Sequence, residues 1–181
     1  TTDIWGIAVG SNNSAKLGTI VVGRDNTGND NQVIIGANNT ATGPRTRQSS
    51  GTGNFVAGDH NVVEGDSSMI GRYNTAISEY ALQPITVIGN TSTAKSNGIV
   101  IGSRSEADAG NIAIGNDVRA IGRPGKVDPD NIFKFLHSDA KRDSYSLVSF
   151  GGRQVKGVEP GTMTENSKDA VNGAQLYSVA K

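Results

Sequence analysis

Three apolar or small residues followed by glycine recur through the first 115 positions of the chain. The runs are Ile7-Ala8-Val9-Gly10, Ile20-Val21-Val22-Gly23, Val33-Ile34-Ile35-Gly36, Phe55-Val56-Ala57-Gly58, Ser68-Met69-Ile70-Gly71, Thr86-Val87-Ile88-Gly89, Ile99-Val100-Ile101-Gly102 and Ile112-Ala113-Ile114-Gly115. Successive glycines are 13, 13, 22, 13, 18, 13 and 13 residues apart. The two long steps are one period plus 9 and one period plus 5, insertions into a ladder that otherwise keeps its period. Self-similarity at a fixed period marks a solenoid in which each unit stacks on the next. The apolar runs are short, rich in Val and Ile, and stopped at once by Gly and Asn, which is the punctuation of strands. No stretch before residue 128 keeps a 3.6-residue period for three turns, so the repeat is not helical. A 13-residue coil holds two short strands and two turns, and eight coils stacked at about 4.8 Å make a rod about 40 Å long.

The rest of each unit repeats as well. Three residues after the glycine stand Asn13, Asn26, Asn39, Asn61, Asn74, Ser92, Ser105 and then Val118. Five residues after it stand Ala15, Gly28, Ala41, Val63, Ala76, Ala94, Ala107 and Ala120. The small residue suits a tight inner corner. The Asn or Ser suits a turn, because its short side chain bonds neighbouring backbone and Asn tolerates positive φ. Stacking would also place these residues above one another as an Asn ladder. The motif glycines are expected at sharp bends that a Cβ would obstruct.

Strand alternation sends the middle residue of each run (Val21, Ile34, Val56, Val87, Val100) to the face opposite its neighbours. A strand apolar on both faces is buried on both. One face can fill the thin interior of the coil, and the other must meet a second chain. The pattern therefore predicts an obligate oligomer.

Composition narrows the function. The chain has 24 Gly among 181 residues, 5% aromatics, and 17 acidic against 17 basic side chains. No basic face dominates, so nucleic acid is not an expected partner. No apolar run approaches the roughly 18 residues of a membrane span, and none has the pattern of a signal peptide. The absence of Cys removes disulfides, thiol chemistry and the usual structural zinc sets.

After Gly122 the repeat stops. Asp128-Pro129 is a helix-start signal, and Ile132, Phe133, Phe135 and Leu136 continue it at helical spacing, which predicts a short helix near 129–138. Tyr145 to Phe150 suggests one strand. From Ser167 onward the pattern turns helical, with Asn172, Leu176 and Val179 spaced like core positions of a heptad. One heptad cannot stand alone, so a coiled coil is expected to continue past Lys181. The resulting division is 1–122 repeats, 123–150 insert, 151–168 connector and 169–181 start of a stalk. Asp169 reads as a cap or first-turn acid on that helix, and Asn172 as a core residue able to fix register.

The segment Gly152-Arg153-Gln154-Val155-Lys156-Gly157-Val158-Glu159-Pro160-Gly161, followed by Asp169-Ala170-Val171-Asn172-Gly173-Ala174-Gln175-Leu176, resembles the neck of trimeric autotransporter adhesins. The repeats are similar to the YadA-type head motif. Together the resemblance covers about 4–122 and 150–181. The chain departs from the neck pattern at Lys156-Gly157 and in the longer Thr162 to Lys168 stretch, and 123–150 match no repeat of the family. The resemblance implies an all-β trimeric left-handed parallel β-roll with a C-terminal helix. It implies a neck built on Arg153, Gln154, Val155, Val158, Gly161, Asp169, Ala170, Val171, Asn172, Gln175 and Leu176, and the start of a trimeric coiled coil. It also implies an obligate homotrimer on a Gram-negative cell surface, held by an outer-membrane anchor that lies outside these residues. A neck has a mechanical task of its own, to step a wide three-chain roll down to a narrow three-helix coil. Gly152, Gly157 and Gly161 supply bends for it, and Pro160 keeps the helix from starting early.

Candidate chemistry is sparse. No nucleophile elbow, phosphate loop or metal-ligand spacing occurs, so no catalytic residue, cofactor or metal is expected. His60 and His137 are the only histidines. A trimeric β-helix with one catalytic His is the plan of hexapeptide-repeat acyltransferases, but a step of 13 is not a multiple of six, and His60 reads as an exposed turn residue. The insertions 42–54 and 74–84 are the places where a solenoid carries binding loops, and Arg45, Arg47 and Tyr80 are the candidate contacts. Two functions follow. One is an adhesin head attaching to host matrix proteins, cell-surface receptors or other bacteria through weak contacts summed threefold. The other is a spacer that holds a distal binding head clear of the envelope.

Overall fold

The computed structural model describes residues 2, 5–29, 32–42, 53–78, 83–122 and 147–180. The expected helix near 129–138 and His137 lie outside them. The chain divides into two compact units, 1–151 and 152–181.

The first unit is a parallel β-solenoid. Its long strands are Ile7–Ser11, Ile20–Arg24, Val33–Ala37, Phe55–Asp59, Ser67–Arg72, Ile85–Asn90, Ile99–Ser103, Ile112–Ile114 and Val148–Ser149. They form one parallel sheet in chain order. The short strands Ser14–Ala15, Thr27–Gly28, Thr40–Thr42, Val62–Glu64, Thr75–Ile77, Thr93–Lys95, Glu106–Ala107 and Arg119–Ala120 form a second parallel sheet. Register follows the repeat: Gly10, Gly23, Gly36, Gly58, Gly71, Gly89 and Gly102 pair in sequence, straight across both long steps. Neither long step shifts the register.

The core is the thin space between the sheets. Val21, Ile34, Val56, Met69, Val87, Val100 and Ala113 point in from the long sheet, and Ala15, Ala41, Val63, Ala76, Ala94, Ala107 and Ala120 meet them from the short one. The middle residue of each run is thus the inward one. Gly28 replaces the small residue in one coil, where a Cβ would lie 2.7 Å from Ile34 Cδ1. The missing methyl leaves room for both Ile34 Cδ1 and Thr19 Cγ2, the second of which a Cβ would meet at 2.5 Å.

The ladder residues stack, buried, along one corner. Asn13, Asn26, Asn39, Asn61 and Asn74 each send Nδ2 to the carbonyl of the motif glycine one coil on, at 2.7–2.9 Å. Each Oδ1 accepts the backbone N–H of the ladder residue above, at 3.0–3.2 Å. Ser92 and Ser105 continue the ladder, and Ser105 Oγ ends it on Val118 N–H at 3.0 Å. A corner of this kind would otherwise bury unpaired carbonyls at a cost of about 1–3 kcal/mol each.

Three details differ from the sequence reading. Seven of the eight motif glycines sit inside the long strands rather than at bends, Gly115 alone lying just past its strand; as expected a Cβ would be obstructed, and on Gly102 it would run into the Gly115 carbonyl oxygen. The positive-φ residue is not the Asn of the ladder but its predecessor: Asn12, Asp25, Asn38, His60, Tyr73, Thr91, Arg104 and Asp117 all have φ between 52° and 57°. The buried Asn is held extended because its amide spans two coils, which leaves the residue before it to turn the chain. Finally, the long sheet does not end near Gly122. Val148–Ser149 pairs in parallel with Ile112–Ala113, and Leu147 N–H bonds Asn111 Oδ1 at 3.0 Å, so the chain returns to the solenoid for one more rung.

The second unit carries a single short helix, Gly173–Val179. Asn172 is its N-cap, and Gln175 completes a capping box: Gln175 N–H donates to Asn172 Oδ1 at 3.0 Å, and Asn172 N–H to Gln175 Oε1 at 3.2 Å. This corrects two expectations. Asn172 caps the helix from outside it instead of lying within it. Asp169 lies three residues before the cap, where its Oδ2 accepts the Thr162 N–H at 2.9 Å. That bond holds the 162–169 segment as a closed turn and delays the helix start to Gly173.

Candidate functional site

The long sheet has a second face, and it is apolar. Its outward side chains form two columns. One holds Ile7, Ile20, Val33, Phe55, Ser68, Thr86, Ile99, Ile112 and Val148; the other holds Val9, Val22, Ile35, Ala57, Ile70, Ile88, Ile101 and Ile114. Ile35, Ile70, Ile88 and Ile101 are each 44–47% exposed. Only Ser68 and Thr86 interrupt the columns. Nine rungs at about 4.8 Å, in a strip about 10 Å wide, give on the order of 400 Å² of nearly unbroken apolar surface, the size at which exposed patches mark an interaction site.

The short sheet behaves in the opposite way. Its outward positions are Ser14, Thr27, Thr40, Val62, Thr75, Thr93, Glu106 and Arg119. Charged pairs cross its rungs: Lys95 Nζ to Asp108 Oδ1 at 2.9 Å, and Arg119 Nη2 to Glu106 Oε2 at 3.1 Å. The Lys95 hydrogen bond, aided by the Gly122 N–H, holds the Asp108 carboxyl below its ordinary pKa. One face of the solenoid is built for water and the other is not. That asymmetry runs the whole length of the ladder, so it belongs to the repeat and not to one local patch.

In the second unit, Gln175 binds the Gly161 backbone at both ends, Gly161 N–H to Oε1 at 2.9 Å and Nε2 to Gly161 O at 2.7 Å. Asn172 Nδ2 donates to Val158 O at 3.1 Å. The structure thus ties together Val158, Gly161, Asp169, Asn172 and Gln175, five of the residues singled out from sequence. Arg153, Gln154 and Ala170 are exposed, and Val155, Val171 and Leu176 present 61%, 59% and 66% of their surface. The helix itself buries no residue.

Arg45, Arg47 and Tyr80 lie outside the described residues. His60 is exposed, as expected, but it is not isolated. Its ring stacks on Tyr73 with centroids 4.8 Å apart, and its Nδ1 lies 2.9 Å from Asp59 Oδ1. Asn38 Nδ2 donates to the same carboxylate oxygen at 3.1 Å. These two bonds, Asn38 first, keep the Asp59 carboxyl below its usual range. The sequence reading passed over this corner. The signal was the residue two after each glycine, which is Asn or Asp in four of the coils named above. Among the described residues no group of His, Asp or Glu is placed to hold a metal ion, and no helix is long and apolar enough to cross a membrane. Neither a protein-family model nor a curated protein matches the chain.

Proposed function

We propose that the chain is the head and neck of a trimeric surface adhesin of the autotransporter type, with the apolar face of the long sheet as the seam between three copies. The observation that carries this reading is the contrast between the two sheets: an apolar outer face along the whole long sheet, and a mostly polar one along the short sheet, ion-paired at Lys95, Glu106, Asp108 and Arg119. A second copy of the same face satisfies it rung by rung, because the repeat is the same in every copy. In this reading the solenoid is a left-handed β-roll. The exposed Leu176 and Val179 belong to the seam of a three-helix coil, for which a helix with no buried residue needs partners. The neck, tied by Gln175 and Asn172, joins the two. Function is then adhesion to host cells, matrix proteins or other bacteria, presented threefold and strengthened by avidity.

The test has two arms on the purified protein. Light scattering gives the mass in solution, expected at three chains. Binding to cultured host cells and to matrix-coated surfaces is expected at micromolar or tighter protein concentration. A folded monomer overturns the assembly. A trimer that attaches to no cell, matrix protein or bacterium overturns adhesion and leaves a spacer.

A further inference from the structure

The corner that turns each long strand into the next short one carries an aromatic platform. His60 and Tyr73 occupy the same position in successive coils, each held at positive φ (53° and 54°). Their 4.8 Å centroid distance equals the rung spacing of the sheet, so the rings stack along the ladder axis. Asp59, bonded to His60 and anchored by Asn38, fixes the imidazole from beside the stack. A bulky residue at positive φ is strained by about 1–3 kcal/mol, and such strain persists where the surroundings impose it.

One ring face of Tyr73 is covered by His60. The other looks toward the next rung, where the equivalent residue is Thr91, too small to cover it. One rung further on, Arg104 leans away, drawn to Asp117 by two bonds of 2.7 Å. Tyr73 is 51% exposed. Beside it along the neighbouring column stand Arg72 and Asn90, paired in register, and Thr91 Oγ1 is bonded to Asn90 Oδ1 at 3.1 Å. The result is a preformed aromatic surface one rung wide, with the bonded Thr91 hydroxyl and Asn90 amide one rung on and Arg72 next to Tyr73 in the chain.

We propose that this surface binds a saccharide, with the apolar face of one pyranose ring laid on Tyr73 and its hydroxyls bonded by Asn90, Thr91 and Arg72. The chemistry fits for three reasons. A pyranose presents C–H groups on one face and hydroxyls round its rim, and the platform presents a π-face with polar groups beside it. The stack with His60 fixes the Tyr73 ring in advance, so little side-chain entropy is lost on binding. The surroundings carry both charge signs and no basic excess, which disfavours a nucleic acid base as the stacked group. The inference names a ligand class for the adhesive surface proposed above, and it rests on that reading only for the gain from threefold presentation.

The decisive experiment screens the purified protein against an array of immobilised glycans. Hits are then measured by calorimetry with the free oligosaccharide. Wild type is expected to bind at least one glycan with a Kd in the range of 0.1–1 mM per site, as an order of magnitude for a shallow site. Tyr73→Gly should weaken binding at least tenfold while keeping or raising the melting temperature, because glycine adopts positive φ without strain. Tyr73→Phe should stay within about threefold of wild type. An array with no hits, or a Tyr73→Gly protein that binds as wild type does, overturns the proposal. Cell attachment that survives Tyr73→Gly leaves the adhesin standing and this site refuted. Glycan capture by a protein that attaches to no cell does the reverse.

Discussion

Asn61 uses its amide in both directions at once. Its Nδ2 reaches Asn39 Oδ1 at 3.0 Å and Gly71 O at 2.8 Å, and its Oδ1 accepts both the N–H and the Nδ2 of Asn74 at 3.1 Å. Asn61→Ala leaves the Gly71 carbonyl and the Asn74 N–H buried without these partners, and should lower unfolding free energy by roughly 2–4 kcal/mol. Asn61→Ser should cost less, since the ladder already accepts Ser92 and Ser105 at equivalent places. Denaturant titration of both variants checks the order, and equal losses would refute the ladder's part in stability. Gly102→Val adds a Cβ against the Gly115 carbonyl at a φ of 144° and should cost about 3 kcal/mol or more. Asp108→Ala removes only half-exposed bonds on the polar face and should cost under about 1 kcal/mol. Similar drops in melting temperature for these two would contradict the observed register. The 13-residue period made the glycines and the Asn column legible, because stacking demands one identity at each rung. It did not show which residue turns the chain. Asn suits both jobs, and the position that turns holds His60, Tyr73 and Arg104 as well as Asn12, so no single residue type marks it along the column.

Among the elements, the strands were legible and the helix start was not. Alternation set Val21, Ile34 and Val100 on the face opposite their neighbours without saying which face is inside; the structure turns the middle residue in, because a coil this thin admits only one residue from each run. The strand at Val148–Ser149 could be suspected from Tyr145 to Phe150, but its place as a ninth rung depends on a chain return that no period announces. The helix was expected from Ser167 because Leu176 and Val179 keep helical spacing, while the side chain of Asp169 was committed elsewhere. Asn172→Ala should remove the capping box and cost the helix about 1 kcal/mol, seen as faster exchange of the Gln175 amide in the whole chain. Asp169 adds a pH dependence. The Thr162 backbone N–H, and then its side chain, hold the folded carboxyl below its ordinary pKa. The folded form therefore binds its proton more weakly than the unfolded one. The contribution is complete above the usual carboxylate pKa of about 4 and is lost as pH falls through the folded value. Exchange of the Thr162 amide should accordingly be slowed at neutral pH relative to Asp169→Ala, with the difference vanishing under acid conditions. A difference that persists below about pH 2 would show that this carboxylate does not hold the turn.

For the whole molecule, the deciding quantity is what covers the outer face of the long sheet. Sequence alternation predicts a partner there, because residues on both sides of the long strands are apolar and the coil encloses only one side. The sequence could not show that the opposite sheet is polar on its outside; that follows from Thr27, Thr40, Thr75 and Thr93 all lying outward once Gly28, Ala41, Ala76 and Ala94 are fixed inside. The contrast makes a paired experiment possible. Ile35→Glu and Ile101→Glu each place a carboxylate in the middle of the apolar columns, where assembly would have to bury it near its own symmetry mates. Three like charges close together at a seam cost several kcal/mol, far more than one exposed Glu costs a free surface. Thr27→Glu and Thr40→Glu introduce the same charge on the other sheet, at exposed positions whose register partners are uncharged. The first pair should lower the mass in light scattering from three times 18.8 kDa toward one chain, or prevent accumulation of folded protein. The second pair should leave mass and melting temperature within error of the parent. If Ile35→Glu stays trimeric and as stable as Thr40→Glu, the apolar face is not the seam, and the assembly must be held elsewhere in the chain.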